Sequence, residues 1–147
     1  MFFLHANNSN STISRLHLQG TSYSGAIMIS SAAETLRNIT YKNLWIENPK
    51  GMKAKWCKLT YNEENCITQD STIEGADKEH LIYNHSPRGF VVMSNLDLRN
   101  AGAQAYQETW RLPESDDPNG YLNVGATSLR NCRILMCGQP RGYGRAS

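Results

Sequence analysis

Short runs in which apolar and polar residues alternate recur along the chain, and each closes on Gly or Asn. Residues 14–20 read SRLHLQG, 42–48 KNLWIEN, 69–75 QDSTIEG, 94–100 SNLDLRN and 132–138 CRILMCG. The closing residues are Gly20, Asn48, Gly75, Asn100 and Gly138, separated by 28, 27, 25 and 38 residues. Two positions before each closing residue stands an apolar side chain: Leu18, Ile46, Ile73, Leu98 and Met136. Four positions before stand Leu16, Leu44, Ser71, Leu96 and Ile134. A period of two predicts strands with one buried face.

Two further β-prone runs accompany each repeat. The upstream set is Phe2-Leu4, Ile27-Ser30, Trp56-Tyr61, Leu81-Tyr83 and Tyr121-Val124. The intermediate set is Ser11-Ile13, Asn38-Tyr41, Cys66-Thr68, Phe90-Met93 and Thr127-Leu129. Three short strands per repeat of 25 residues or more predict a stacked β architecture, in which each unit buries little alone and depends on its neighbours. No stretch of ten residues shows the 3.6-residue period of a helical repeat; Ala32-Ala33-Glu34-Thr35-Leu36 would supply one turn at most. The L-x-x-L-x-L frame of leucine-rich repeats is absent. Gly and Asn suit the corners, because they tolerate left-handed backbone angles.

The motifs NITYKNLWIEN (38–48), FVVMSNLDLRN (90–100) and SLRNCRILMCG (128–138) resemble the single-stranded right-handed parallel β-helices, among them pectate-lyase-like enzymes and phage tailspike bodies. The resemblance covers nearly the whole chain. It implies an all-β solenoid of about five coils over residues 1–147, with corners near Gly20, Asn48, Gly75, Asn100 and Gly138 and an insertion at about 101–120. The resemblance carries architecture; activity has to come from a site. The ends are expected to lack caps, since Met1 begins inside a coil and Ser147 follows the last corner. Uncovered strand edges invite pairing. A fragment of a longer solenoid, or a subunit that self-associates, is therefore expected.

Composition narrows the partners. The 147 residues carry 15 Lys+Arg against 13 Asp+Glu, with no basic stripe for nucleic acid. Apolar runs do not exceed four residues, so no membrane-spanning helix is expected. Met1-Phe2-Phe3-Leu4-His5 lacks the basic region and apolar length of a signal peptide. An extracellular or virion setting, as the resemblance implies, would need another route of export. Cys57, Cys66, Cys132 and Cys137 form no C-x-x-C pair and read as thiols, with a Cys57–Cys66 bridge as the alternative. The sequons at Asn7, Asn10, Asn38 and Asn84 read as chance occurrences in an Asn- and Ser-rich chain.

Residues facing outward on the repeated strand are expected in two columns. One is His17, Trp45, Thr72, Asp97 and Leu135; the other is Gln19, Glu47, Glu74, Arg99 and Cys137. The substrate-binding face of the pectate-lyase-like enzymes runs along an equivalent strand. By that resemblance the expected partner is a polysaccharide, recognised with or without cleavage. The candidate catalytic residues are Glu47, Glu74, Asp97 and Arg99. Carboxylates on adjacent coils would stand about 5 Å apart, and diagonal ones about 8 Å, the spacings of retaining and inverting glycosidases. A lyase would use Arg99 as base, with Ca²⁺ on carboxylates to neutralise a uronate. The candidate binding residues are Trp45, His17, Tyr106, Trp110 and Arg111, the last three from the insertion. No resident cofactor is expected. The other Ca²⁺ candidate is the turn Asp116-Asp117-Pro118-Asn119-Gly120, whose spacing is not that of an EF-hand loop. His80, Tyr83, His85 and Arg88 are a third cluster, with a His as potential base. Lys50, Lys53 and Lys55 could attract an acidic polymer. The competing readings are an inert charge ladder and a structural segment of a fibre or spike.

Overall fold

A computed structural model describes residues 2–4, 6–20, 27–29, 35–48, 55–76, 78–85, 88–109 and 126–137. The described residues form strands β1 (Phe2–Leu4), β2 (Thr12–Ser14), β3 (His17–Gln19), β4 (Ile27–Ile29), β5 (Leu36–Arg37), β6 (Thr40–Lys42) and β7 (Trp45–Glu47). They continue as β8 (Trp56–Tyr61), β9 (Glu63–Ala76), β10 (His80–His85), β11 (Arg88–Ala101), β12 (Tyr106–Thr109), β13 (Ala126–Arg130) and β14 (Arg133–Leu135). A short 3₁₀ turn occupies Ala6–Asn8.

All strand pairs among the described residues are parallel. One sheet has the order β1-β4-β8-β10-β12; the other has β13-β11-β9-β6-β2, with β3, β7 and β14 continuing its neighbours beyond a bend. The chain thus alternates between two sheets, and each return lays new strands beside those of the preceding pass. Five passes result: β1–β3, β4–β7, β8–β9, β10–β11 and β12–β14.

The bend in the second sheet has a local cause. Arg15, Asn43, Asp70, Asn95 and Asn131 all have φ between 50 and 58. They fall at matching register positions, one in each pass. A second file of left-handed residues, Asn10, Asn38, Asn65 and Gly89, turns the chain into the second sheet. Asn suits both files because its short amide tolerates this conformation and can bond locally. The amides also link passes: Asn38 Nδ2 donates to Asn10 Oδ1 at 2.7 Å, and Asn95 Nδ2 to Asp70 Oδ1 at 2.9 Å. Asn65 Oδ1 accepts the Phe90 backbone N–H at 3.1 Å. Two of the sequon asparagines, Asn10 and Asn38, are therefore members of such a file.

The corners read from the repeats behave unequally. Gly75 and Asn100 have positive φ, 91 and 60. In the fifth pass Met136, which follows Leu135 as Asn100 follows Arg99, is left-handed with φ 52, while the expected corner Gly138 lies outside the described residues. The register there is offset by two residues from the columns read in the sequence: Asp97 aligns with Arg133, Leu98 with Ile134 and Arg99 with Leu135. Leu135 and Cys137 therefore do not occupy the column positions read from the sequence. The place beside Asp97 belongs to Arg133, and Leu135 stands beside Arg99.

The core lies between the sheets. Ile46, Ile73 and Leu98 are aligned and fully buried. Leu44, Ser71 and Leu96 make the adjacent buried file. Ser71 fits there because its hydroxyl donates to Gln69 O at 2.7 Å and accepts the Leu44 N–H at 3.0 Å, spanning the bend at Asp70. Burial of Leu44 and Ile46, with Trp45 exposed and Glu47 partly exposed, fixes the register of the outward face.

The first sheet differs from expectation in the last pass. Its fifth strand is β12, which pairs with β10 through Ile82–Tyr106 and Asn84–Glu108. The segment 101–120, read as an insertion, therefore contains a sheet strand. Tyr121–Val124, read as that strand, lies outside the described residues. All four cysteines are free, so the alternative Cys57–Cys66 bridge is not formed. Burial pushes the Cys66 thiol up to about 12.

Candidate functional site

β3, β7 and the second halves of β9 and β11, with β14, present their outward side chains on one surface. One column is His17, Trp45, Thr72, Asp97 and Arg133. Its neighbour is Gln19, Glu47, Glu74, Arg99 and Leu135. Strand periodicity places these groups, and the apolar residues between them hold the spacing.

Trp45 is 46% exposed. The His17 ring stacks on it, centroids 4.2 Å apart and planes 8° from parallel. The two rings form a shelf whose rim is hydrogen-bonded. His17 Nε2 lies 2.9 Å from Glu47 Oε1, and Gln19 Nε2 donates to the same oxygen at 3.3 Å. Trp45 Nε1 donates to Glu74 Oε1 at 3.0 Å, one pass further on. These contacts fix both the indole plane and the two carboxylates.

At the other end, Asp97 sits between two guanidinium groups. Arg99 Nη2 bonds Asp97 Oδ2. Arg133 grips both oxygens, Nε to Oδ1 at 3.1 Å and Nη2 to Oδ2 at 2.6 Å. Hydrogen bonds from Arg99 and then Arg133 hold the Asp97 carboxyl well below the usual carboxylate range. Asp97 in turn raises both arginines above their ordinary value, and Glu74 adds to the effect on Arg99. The electrostatics disfavour two of the roles considered from sequence. Asp97 is held ionised and is poorly suited to donate a proton; Arg99 is held as a cation and is poorly suited to accept one. Glu47 and Glu74 are register partners and remain the adjacent carboxylate pair on the face.

Tyr106 lies elsewhere. Its hydroxyl, on β12, donates to Glu108 Oε2 and approaches Thr127 Oγ1 at 3.4 Å, while Thr127 Oγ1 donates to Glu108 Oε2 at 2.5 Å. Burial, then the bond to Glu108, raises the Tyr106 phenol far above its usual range. This half-buried residue belongs to the other sheet, and the structure does not bring it to the Trp45 face. Trp110, Arg111 and the Asp116–Gly120 turn lie outside the described residues. So do Lys50 and Lys53, while Lys55 pairs with Glu79 at 3.6 Å and lies over the Trp56 ring at 5.4 Å.

The third sequence cluster is a packed aromatic group on the first sheet. Tyr61 stacks on His85 at 4.6 Å, Trp56 on Tyr83 at 6.1 Å, and Tyr83 meets His85 at 4.1 Å. His80 is buried beside Tyr83, and burial lowers its pKa. These rings are half-buried or buried, in contrast to Trp45. The Arg88 side chain lies outside the described groups.

Sequence reasoning missed Arg133. A signal existed: Asn131 stands to Arg133 as Asn95 stands to Asp97. Aligning the Asn residues rather than the closing Gly138 places Arg133 beside Asp97. Among the described residues no group of three His, Cys, Asp or Glu is arranged to hold a metal ion. No family model matches the chain, and no curated protein or solved structure is significantly similar to it.

Proposed function

We propose that the two parallel sheets wind as a right-handed β-helix of five coils, and that its repeated-strand face recognises a carbohydrate polymer. The observation that carries this reading is the exposed Trp45–His17 shelf, set in line with fixed carboxylates at one end and two guanidinium groups at the other. An aromatic plane offers the apolar face of a sugar a dry contact, and an exposed aromatic of this size calls for a partner. The aligned side chains repeat along the coil axis at about 4.8 Å, comparable to the repeat of sugar hydroxyls along an extended chain. Arg99 and Arg133 add a cationic edge that favours acidic sugars, since guanidinium pairs well with carboxylates.

The reading is recognition without cleavage. Each carboxylate on the face already accepts a hydrogen bond from a neighbour, and Asp97 is locked as an anion. Affinity electrophoresis through gels holding acidic or neutral polysaccharides tests it, with reducing ends and unsaturated sugars read in the same samples. Retardation of the parent by an acidic polymer is expected, lost in Trp45→Ala and weakened in Arg133→Ala, without new ends. Free migration through every polymer would overturn it. New ends that disappear in Glu74→Gln would establish hydrolysis in place of simple recognition.

A structural role as a fibre or spike segment is the second reading. It is favoured by the exposed apolar side chains Leu129, Ile134 and Leu135 on the strands of the last described pass, and Met136 directly after them. A surface of that kind invites another copy. Sedimentation that stays monomeric across a wide concentration range would count against it.

A further inference from the structure

The interior holds a second chemical centre, remote from the Trp45 face. Lys58, Glu63 and Asn84 are 2%, 0% and 1% exposed. Lys58 lies on β8 and Asn84 on the adjacent parallel strand β10, two positions beyond the register partner of Lys58. Side chains so placed share one face of the sheet, a diagonal of about 7–8 Å that a lysine can span. Glu63 opens β9, directly after the left-handed Asn62 that brings the chain from the first sheet into the second. Its carboxylate meets both partners. Lys58 Nζ lies 2.9 Å from Oε1 and 3.1 Å from Oε2, and Asn84 Nδ2 donates to the same Oε2 at 3.3 Å. Thr68 Oγ1 lies 3.4 Å from Nζ, and the Tyr41 ring covers the nitrogen at 4.3 Å from its centroid. Among the described residues, Asn84 Oδ1 is buried with no hydrogen-bond partner.

A nucleophilic nitrogen, a carboxamide and a carboxylate that touches both are the parts of an amide-exchange reaction. We propose that Lys58 and Asn84 become joined by an intramolecular amide bond, with Glu63 moving the protons. The Nζ–Cγ bond forms and the Cγ–Nδ2 bond breaks. The lysine ammonium gives up two protons. Glu63 carries one to Nδ2, which leaves as ammonia, and retains the other as a neutral acid. The reaction needs no oxidant, metal or further reactant. It converts a buried ion pair, which is costly to desolvate, into neutral groups. Exclusion of water protects the exchange from competing hydrolysis. The product would tie two passes of the first sheet covalently, and its carbonyl oxygen would stand beside a protonated Glu63 able to donate to it.

The intact mass of the purified full chain under denaturing conditions tests this. The folded parent is expected to be lighter than its sequence by one ammonia, and a protease digest should contain one branched peptide joining Lys58 to Asn84. Glu63→Gln, with a strand-type circular dichroism spectrum, should regain the full mass; so should Asn84→Ala. A folded parent carrying the full sequence mass overturns the proposal without recourse to any variant. A branch between other residues, or a loss of ammonia that persists in Asn84→Ala, overturns it as well.

Discussion

Single residues set both the bends and the charges of this chain. Eleven of the left-handed positions among the described residues are held by Asn, Asp or Gly, while Arg15 and Met136 carry larger side chains at φ 58 and 52. A left-handed angle costs an ordinary residue about 1–2 kcal/mol. Arg15→Asn, exposed and beside Asn43, is therefore expected to raise stability by about 0.5–1 kcal/mol in urea titration. Asp97 makes the opposite kind of case. Its carboxyl is depressed in the folded chain, so the unfolded state binds the proton more readily and stability falls as pH falls. Asp97→Asn is expected to be less stable than its parent at neutral pH, since two guanidinium groups lose their anion. The gap should narrow as pH drops below the unfolded value of about 3.9 and on through the lower folded one. Urea midpoints measured from pH 7 to pH 2 would show it; a gap independent of pH would contradict the assignment.

Elements were legible in the sequence to the extent that their pattern had one solution. The period-two runs placed Leu44, Ile46, Ile73, Leu96 and Leu98 inside and Trp45 outside, because a register slip would have exposed every one of them. The fifth pass was less constrained. Aligning it on Gly138 misplaces its strand by two residues, since the register is set upstream by Asn131 opposite Asn95, and Met136 is left-handed where Asn100 is in the pass before. The polar strand β12, Tyr-Gln-Glu-Thr, was overlooked because its half-buried Tyr106 and Glu108 satisfy each other, a relation that no local propensity reveals. The Lys58–Glu63–Asn84 cluster was equally hidden, because three polar residues on three strands meet only after folding. Gly75 is the corner with the sharpest requirement. Its φ is 91, and an added Cβ would lie 2.3 Å from the backbone oxygen of Asn48. Gly75→Ala is expected to cost about 2–4 kcal/mol, read by thermal and urea unfolding, whereas an equally small change at the exposed Ser11 should cost little.

At the scale of the molecule, the two sheets divide the labour. The first sheet carries packed aromatics on β8 and β10 and lends Lys58 and Asn84 to the interior; the second carries the aligned outward face. Neighbour stacking supplies most of the stability of such an arrangement, so an outward face can vary without disturbing the core. Trp45→Ala is therefore expected to leave the urea midpoint nearly unchanged, because the indole is 46% exposed and outside the core. The proposed polysaccharide site runs along β3, β7, the second halves of β9 and β11, and β14. The measurement that tests it most directly is the amide and indole N–H spectrum of the ¹⁵N-labelled protein, titrated with the acidic polymer that retards it. Shifts are expected at the Trp45 indole and along residues 17–19, 45–47, 72–74, 97–99 and 133–135, with the β8 and β10 aromatics unmoved. Shifts centred on Trp56, Tyr83 and His85, or none at any polymer concentration, would contradict it.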